Sequence, residues 1–327
     1  MVSSAPLLTN GVFEAYLQCR RKAVLRLQKR RAHRTEYDRL QKRLDDRFHA
    51  SARLCMSDRF PKDDVLSAPR LNRSLLDQGY SLILDTTVVC GRITCVLHGL
   101  RRLASTPDEK NPRYEPVLFC RHDRVGQMQK MSLAFAAMVV GLFQGRTPER
   151  GSLLHGHDLT LSRLRLCSCL KRVQQILEDL KQLAESSDSV PLVLNSHCET
   201  CEFKKFCRTK AVQDDSLSLL SGMRESQIKR YNQKGFFTVN QLSHTFRYRK
   251  PRKRAKNPAK PHYFALQALS LRTGTVHIHG NPSLPTVQTH IYFDIETLPD
   301  RGFLYLIGAL RVQGSEVICR QFWADED

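Results

Sequence analysis

The sequence lacks any long hydrophobic run, since none of its apolar stretches approaches the ~18 residues that a membrane-spanning helix needs. Its N-terminus, MVSSAPLLTNGVFEAY, lacks the basic-then-apolar pattern of a secretory signal. These absences predict a soluble, cytoplasmic protein without a membrane partner. A hydrophobic fraction of 41% in 327 residues allows a buried core and two or three domains, which excludes a wholly disordered chain.

Acidic residues are few relative to basic ones, with 32 Asp and Glu against 52 Lys and Arg and a net charge of +20. Most of the excess lies in two stretches. Residues 20–47 hold 12 basic and 4 acidic residues, and residues 247–260 hold 8 basic and none acidic, so each carries +8. Concentrated positive charge attracts a polyanion, and nucleic acid is the usual one. The alternative is a solvated helix face and a flexible linker.

Eleven cysteines in a chain without an export signal are better interpreted as reduced thiols and metal ligands than as disulfides. Cys198, Cys201 and Cys207 lie in SHCETCEFKKFCRTK, with two and then five intervening residues. Three thiolates need a fourth ligand, and the spacing does not distinguish an iron–sulfur cluster from zinc. The candidates for that ligand are Cys19, His197, Cys167 and Cys169.

Hydrophobic patterns predict a layered α/β fold in the first 190 residues or so. A helix is expected from Val12 to about Leu54, followed by short strands from Tyr80 onwards. An apolar helix, MSLAFAAMVVGLFQ, should end at Gly145, and another helix is expected over 164–185.

Residues 214–245 are typical of two short helices around a turn at Lys234–Gly235, with Thr238 capping the second. A helix–hairpin–helix of this kind can offer turn N–H groups to phosphates, whereas the alternative is a plain helical connector. The Pro- and Lys-rich residues 247–262 cannot form a core and predict a basic linker.

The cysteine spacing resembles that of the iron–sulfur RecB-type nucleases, in which one Cys in an N-terminal basic helix precedes a C-x2-C-x5-C group after a nuclease-sized gap. The sequence around VLNSHCETCEFKKFCRTKAV is similar to the RecB-like subgroup. The resemblance implies a restriction-endonuclease-like α/β domain. It also implies a [4Fe–4S] cluster that joins the two ends of this domain through Cys19, Cys198, Cys201 and Cys207.

RecB-type enzymes hold Mg²⁺ with an Asp after one core strand and with a Glu-x-Lys pair on the next. Here His98 stands where the family has Asp, and Glu115 is followed by Pro and Val, so Glu-x-Lys is absent. Glu115 is the candidate catalytic residue of this first centre, with Asp85 and Asp123 as further carboxylates. The structural alternatives are a polar strand end for His98 and a surface carboxylate for Glu115.

A second acidic motif lies in THIYFDIETLPD, which resembles the first motif of DnaQ-like exonucleases of the ribonuclease H superfamily, in particular the YprB-type domain. Alternation along a strand places Asp294 and Glu296 on one side, where both can reach Mg²⁺ or Mn²⁺. They are the predicted catalytic and metal-binding pair, and a chance D-x-E on an edge strand is the alternative. Residues 304–325 predict the next two strands. The chain is expected to be the N-terminal part of a longer protein that continues into the rest of this domain and a helicase.

Together these patterns predict four regions: a RecB-like domain over 1–212, a helical hairpin over 213–246, a basic linker over 247–286, and the first strands of a ribonuclease H-like domain over 287–327. The predicted function is nucleic-acid binding, with DNA favoured, and metal-dependent phosphodiester hydrolysis. A catalytically degenerate DNA-binding scaffold and a zinc-knuckle RNA-binding protein are the alternatives.

Overall fold

The structure is a computed structural model that describes most of the chain. The described residues are 8–68, 70–104, 112–185, 190–247, 263–278, 286–298 and 303–324. They form two compact units: unit 1 comprises Met1–Ser189 together with Val287–Asp327, and unit 2 comprises Val190–Thr286.

Unit 1 contains six helices and ten strands within its described residues. The helices are α1 (Asn10–Gln18), α2 (Arg20–Leu27), α3 (Glu36–Ser57), α4 (Arg73–Asp77), α5 (Gln127–Gln144) and α6 (Cys167–Glu185). The strands are β1 (Leu8–Thr9), β2 (Val65–Ser67), β3 (Leu82–Cys90), β4 (Ile93–Arg102), β5 (Tyr114–Cys120), β6 (Arg150–His155), β7 (Thr160–Arg165), β8 (Thr289–Leu298), β9 (Phe303–Gln313) and β10 (Glu316–Trp323).

The first seven strands form one mixed sheet in the order β2-β3-β4-β5-β6-β7, with β1 added beside the start of β4. The pairs β2–β3 and β5–β6 are parallel, whereas β3–β4, β4–β5 and β6–β7 are antiparallel. The parallel neighbours β5 and β6 are connected through α5, as a crossover between parallel strands requires.

Helices cover both faces of this sheet. On one face, Ala52 and Met56 of α3 pack with Leu84, Val117 and Leu154 in a buried cluster. On the other face α5 packs against β3, β5 and β6, and α1 and α6 pack against α5. The helix α5 is almost wholly apolar because it lies between two layers, and it ends where Gly145 adopts a left-handed conformation (φ 85°).

The strands β8, β9 and β10 form a separate antiparallel sheet in the order β10-β9-β8. Large apolar side chains on it are exposed to solvent, among them Phe293 (71%), Ile291 (67%) and Trp323 (63%). Among the described strands β8 pairs with β9 alone, so its other edge is open.

Unit 2 is a small helical body. Its helices are α7 (Lys204–Gln213), α8 (Glu225–Gln233), α9 (Val239–Ser243) and α10 (Phe264–Thr273). Leu217, Leu220, Val239 and Leu242 form its core together with Phe264 from α10. The cap predicted for α9 is confirmed, because Thr238 Oγ1 accepts the Gln241 N–H at 3.2 Å. The predicted glycine turn is confirmed as well, with Gly235 at φ 82°.

The α/β class predicted from the sequence is confirmed, and the single helix predicted at the N-terminus is wrong. The expected helix over 12–54 is three helices, because Cys19 has an extended backbone (φ −164°) and residues 28–35 are not helical. The compact units divide at residue 190, whereas the predicted RecB-like domain extends to residue 212, and the three clustered cysteines belong to unit 2. The helix α10 lies within the predicted linker over 247–286, of which residues 248–262 lie outside the described residues.

The helices in the described part of the chain include no segment with the length and apolar character needed to cross a bilayer.

Candidate functional site

A row of arginines lies along the N-terminal half of α3. Arg39, Arg43 and Arg47 follow one another at intervals of four residues, so they share one helix face and rise about 6 Å from one to the next. All three are exposed, and no described acidic residue forms an ion pair with them. We call these three residues the α3 stripe. It continues at its N-terminal side into the exposed basic residues of 28–34.

Two of the four acidic residues of α3 are engaged elsewhere, whereas Glu36 and Asp46 are exposed beside the stripe and form no ion pair with it. Asp38 accepts the backbone N–H of Thr35 at 2.7 Å and closes a capping box, which satisfies the first turn of the helix. Asp45 accepts the Arg121 Nε at 3.0 Å, beyond the end of β5. The three arginines of the stripe therefore form no ion pair with a described residue, which leaves their guanidinium groups accessible to phosphates.

His98 occupies the position at which the RecB-type pattern has its metal-binding Asp. Its Nδ1 accepts the backbone N–H of Phe119 at 2.7 Å, at the point where the β4–β5 ladder ends. The His98 ring stacks on Phe119 (centroids 5.2 Å apart) and meets His49 of α3 edge-on at 4.3 Å. Burial lowers the pKa of His98 to about 3, with a smaller contribution from His49. The centre of this site is therefore a neutral, stacked group without negative charge.

The carboxylates nearest to the predicted first centre have structural partners. Asp85 is the neighbour of His98 on β3, with a left-handed backbone (φ 52°), and forms an ion pair with Arg53 at 3.0 Å. This conformation interrupts the alternation of side chains along β3, so that Leu84 and Cys90 face opposite sides of the sheet. Leu84 packs in the α3 cluster, whereas Cys90 Sγ lies 3.9 Å from a carbonyl oxygen of α5. Asp123 accepts the backbone N–H of His157 at 3.1 Å and fixes the β6–β7 turn.

Glu115, the predicted catalytic residue of the first centre, lies in the protein interior with 0% exposure. The interpretation of Glu115 as a surface carboxylate is therefore wrong. Its Oε1 forms an ion pair with Arg101 and accepts the Ser152 hydroxyl at 3.2 Å, and its Oε2 accepts Arg163 Nη2 at 2.9 Å. Both oxygens are thus held by arginines, an arrangement that stabilises the sheet and occupies the donors a metal ion would need.

Of the clustered cysteines, Cys198 lies within the short 3-10 helix Ser196–Thr200 near the start of unit 2, and Cys201 directly follows that helix. The backbone N–H of Asn195 donates to Cys198 Sγ at 3.3 Å, and that of Phe203 donates to Cys201 Sγ at 3.5 Å. Sulfurs that accept backbone N–H groups in this way suit a metal or cluster ligand. Cys207 follows on α7, and Cys19 belongs to unit 1.

No three His, Cys, Asp or Glu side chains among the described residues are positioned together to hold a metal ion. The turn that carries Cys198 and Cys201, here called the cysteine turn, offers the sulfur atoms that its predicted metal prefers. Asp294 and Glu296, the β8 pair, offer the oxygen atoms that Mg²⁺ prefers. Neither group forms a complete ligand set within the described part of the chain.

Asp294 and Glu296 lie on the same face of β8, as alternation predicted. The residue opposite Asp294 on β9 is Gly308, and a side chain added there would have no neighbour within 4 Å. The carboxylate of Asp294 accepts the backbone N–H of Ile295 at 3.0 Å, and both carboxylates are exposed. Two carboxylates beside open space suit a hard divalent cation in donor type.

The turn of the helical hairpin does not offer its backbone amides to a ligand. The N–H groups of Lys234, Gly235 and Phe236 donate to carbonyls at the end of α8. Those of Phe237 and Thr238 donate to the Gln241 side chain at 2.8 and 3.3 Å. The prediction that these amides bind phosphate is therefore wrong, and the alternative of a helical connector agrees with the structure.

The sequence interpretation missed the β6–β7 hairpin and the arginines that it carries. The alternation of apolar residues in RGSLLH and TLSRLR, on either side of a Gly-His-Asp turn, was the available signal. It also missed His49, which no local pattern connects with β4.

Comparisons with known proteins add little to this description. No model of a known protein family matches the chain, and no curated protein is significantly similar to it. A solved structure described as the crystal structure of SSO0001 is 12% identical over 64% of this chain and 89% of its own, with a TM-score of 0.31. This likeness is too low to support an inference about fold or function. The class of the protein, mixed α/β, therefore rests on its own helices and sheets.

Proposed function

We propose that this protein binds nucleic acid, DNA in preference to RNA, as part of a metal-dependent nuclease that combines RecB-like and ribonuclease H-like domains. The observation that carries the binding proposal is the α3 stripe, because three exposed arginines with one helix turn between them have no acidic partner among the described residues. Exposed cations that are already paired contribute little to polyanion binding, whereas unpaired ones displace counterions from phosphates.

The larger sheet serves in this proposal as a binding scaffold rather than as a hydrolytic centre. His98 is neutral and stacked, and Glu115 is buried between two arginines, so neither supplies the accessible negative charge that Mg²⁺ requires. This supports the catalytically degenerate alternative for the first centre.

Phosphodiester hydrolysis is assigned in this proposal to Asp294 and Glu296. The two carboxylates would hold Mg²⁺ or Mn²⁺ on the exposed face of β8. A bound divalent ion supplies charge stabilisation on the scissile phosphate and activates water. Asp294 and Glu296 contribute the negative charge, and Gly308 leaves the space beside Asp294 free.

A metal centre at Cys198, Cys201 and Cys207 belongs to the same proposal. The N–H···S contacts at Cys198 and Cys201 support thiolate ligands. A [4Fe–4S] cluster is the predicted occupant, with Cys19 as the fourth ligand that the resemblance implies. Zinc is the alternative, and metal analysis distinguishes the two.

The binding proposal is tested by replacing the α3 stripe with R39Q/R43Q/R47Q and titrating fluorescent duplex DNA and RNA of the same sequence. Loss of three phosphate contacts should reduce the slope of log K against log[salt] by about 3 and weaken binding uniformly across sequences. The matched control is K181Q/K210Q/K229Q, which removes the same charge from exposed lysines that are already ion-paired. The proposal fails if the wild-type protein binds neither nucleic acid, or if both triple variants lose affinity equally.

A further inference from the structure

A second set of arginines crosses unit 1 on the sheet face that α3 covers. In strand register Arg101 of β4 lies opposite Glu115 of β5, and Arg150 of β6 lies opposite Arg165 of β7. Val117 of β5 is paired with Ser152 of β6, so Glu115 and Arg150 lie level with each other two residues earlier. Arg163 occupies the same face one pair further along β7, opposite Ser152. We call Arg101, Arg150, Arg163 and Arg165 the arginine row.

Hydrogen bonds confirm that these side chains share one face. The carboxylate of Glu115 contacts Arg101 on one side and both Ser152 and Arg163 on the other. Arg150 and Arg165 lie two residues from Ser152 and Arg163 on their strands, so alternation directs them to the same side. With strands about 4.8 Å apart, the row spans about 14 Å.

The row carries more positive charge than the protein neutralises. Its four arginines and the single Glu115 leave a net charge of +3. Arg101 and Arg163 are held by the buried glutamate, whereas Arg150 and Arg165 form no ion pair with any described residue. Arg150 is half-buried, and Arg163 and Arg165 are exposed. The row is therefore open to solvent and to ligand.

Two like charges directly opposite each other on neighbouring antiparallel strands are destabilising. Arg150 and Arg165 are such a pair, at the outer end of the β6–β7 pairing. An anion between them would convert this repulsion into attraction, and guanidinium groups match the geometry of phosphate oxygens.

We propose that the arginine row is a second contact surface for the sugar–phosphate backbone of nucleic acid, with Glu115 fixing the orientation of Arg101 and Arg163. This inference rests on the proposed nucleic-acid binding function. The row lies at the start of β5, whereas Arg121, which holds α3 through Asp45, lies beyond the end of β5. Six residues of strand place the row about 20 Å from Arg121, the residue that holds α3, a length that one duplex or one extended strand can span.

The test compares R150Q/R165Q with K171Q/K181Q, which removes the same charge from exposed positions of α6. Binding of duplex DNA is titrated in about 50 to 200 mM chloride. The arginine variant should bind about 10-fold or more weakly in the lowest salt and lose about 2 from the slope of log K against log[salt], whereas the lysine variant should resemble wild type. The midpoint of urea unfolding of R150Q/R165Q should equal or exceed that of wild type, because a like-charge pair is removed.

The outcomes separate this inference from the function on which it rests. If wild type binds DNA and R150Q/R165Q binds as the control does, the arginine row is not a contact surface, while the α3 stripe keeps its role. If wild type binds no nucleic acid, both proposals fail. Inorganic phosphate and chloride are also compared as competitors at equal ionic strength. Binding of inorganic phosphate that is lost in R150Q/R165Q, while its DNA affinity stays at the wild-type value, would reassign the row to a free phosphate ligand.

Discussion

Phe119 donates its backbone N–H to Nδ1 of His98 at 2.7 Å, and the two rings stack with their centroids 5.2 Å apart. The imidazole thus replaces a carbonyl acceptor at the point where the β4–β5 ladder ends. A protonated Nδ1 could not accept this hydrogen bond, and burial opposes the charge as well. The neutral form of His98 is therefore part of the folded structure.

This relationship predicts that acid weakens the fold. The pKa of His98 is about 3 in the folded protein and its ordinary value is 6.5, so between these values the unfolded chain binds more protons. The stabilisation is complete above pH 6.5 and decreases by about 1.4 kcal/mol for each pH unit below it. Urea unfolding at pH 7.5 and 5.5 measures the loss. His98→Asn keeps an acceptor for Phe119 but does not titrate, and should show a flatter pH dependence.

The control for this experiment is His157→Asn, at an exposed position, which should keep the pH dependence of wild type. Burial also lowers the pKa of His49, so some dependence should persist in His98→Asn. An unchanged pH dependence in His98→Asn would show that His98 is not the residue responsible.

Removal of the Glu115 charge is expected to destabilise unit 1. Glu115→Gln leaves Arg101 and Arg163 without their shared carboxylate, and the loss of a hydrogen bond to a charged group costs about 1.5 kcal/mol or more. Equilibrium urea unfolding measures this loss. Glu149→Gln, at an exposed position beside β6, should change the free energy of unfolding by less than about 0.5 kcal/mol.

The two interpretations of Glu115 differ in this experiment. A catalytic Glu115 would lose hydrolysis in Glu115→Gln while the unfolding midpoint stayed at the wild-type value. That result would contradict the structural role argued from its two arginine partners.

The cysteine turn is expected to lose its metal when one sulfur is replaced. Cys198→Ser and Cys201→Ser remove sulfurs that accept backbone N–H groups, so bound iron, sulfide or zinc should fall well below the wild-type content. Elemental analysis and visible absorption of anaerobically purified protein measure the loss. Cys319→Ser, at an exposed position on β10, is the control.

The predicted fourth ligand is tested by Cys19→Ser. Wild-type metal content in this variant would exclude Cys19 from the ligand set. Wild-type content in Cys198→Ser and Cys201→Ser would exclude a metal centre at the turn.

Hydrolysis, where it is measured with Mg²⁺ or Mn²⁺, should depend on the β8 pair. Asp294→Asn and Glu296→Gln each remove the charge of a metal ligand, so each should lower the rate of hydrolysis by more than about 100-fold. Replacing a residue that only supports a ligand lowers activity by about 10- to 100-fold, so a larger loss distinguishes the two roles. Glu316→Gln, a carboxylate of the same sheet that pairs with Arg311, should cleave at the wild-type rate. Equal rates in all three variants would exclude this face as the hydrolytic centre.

The sequence predicted those elements whose patterns are local and strong. The apolar run before Gly145 marked α5 because this helix is buried between two layers. Alternation around Asp294 marked β8, and Thr238 marked the start of α9. In each of these cases a few neighbouring residues determine the conformation.

The features that the sequence did not predict correctly depend on contacts between residues that are far apart in the sequence. β7 was assigned in part to the following helix, because its exposed arginines weaken the apolar alternation. α10 was missed since only Phe264 and Ala268 bury it against unit 2. The burial of Glu115 follows from Arg101 and Arg163, which are distant in sequence.

One edge of β8 has no partner strand among the described residues, and this affects how the protein behaves in solution. A strand with an unbonded row of amides and carbonyls is a template for pairing, and the apolar side chains on both faces of its sheet strengthen that tendency. Any segment that docks along this edge, from the same molecule or another, would bring its own side chains next to Asp294 and Glu296. Association through strand addition and completion of the acidic ligand set would then be one and the same event.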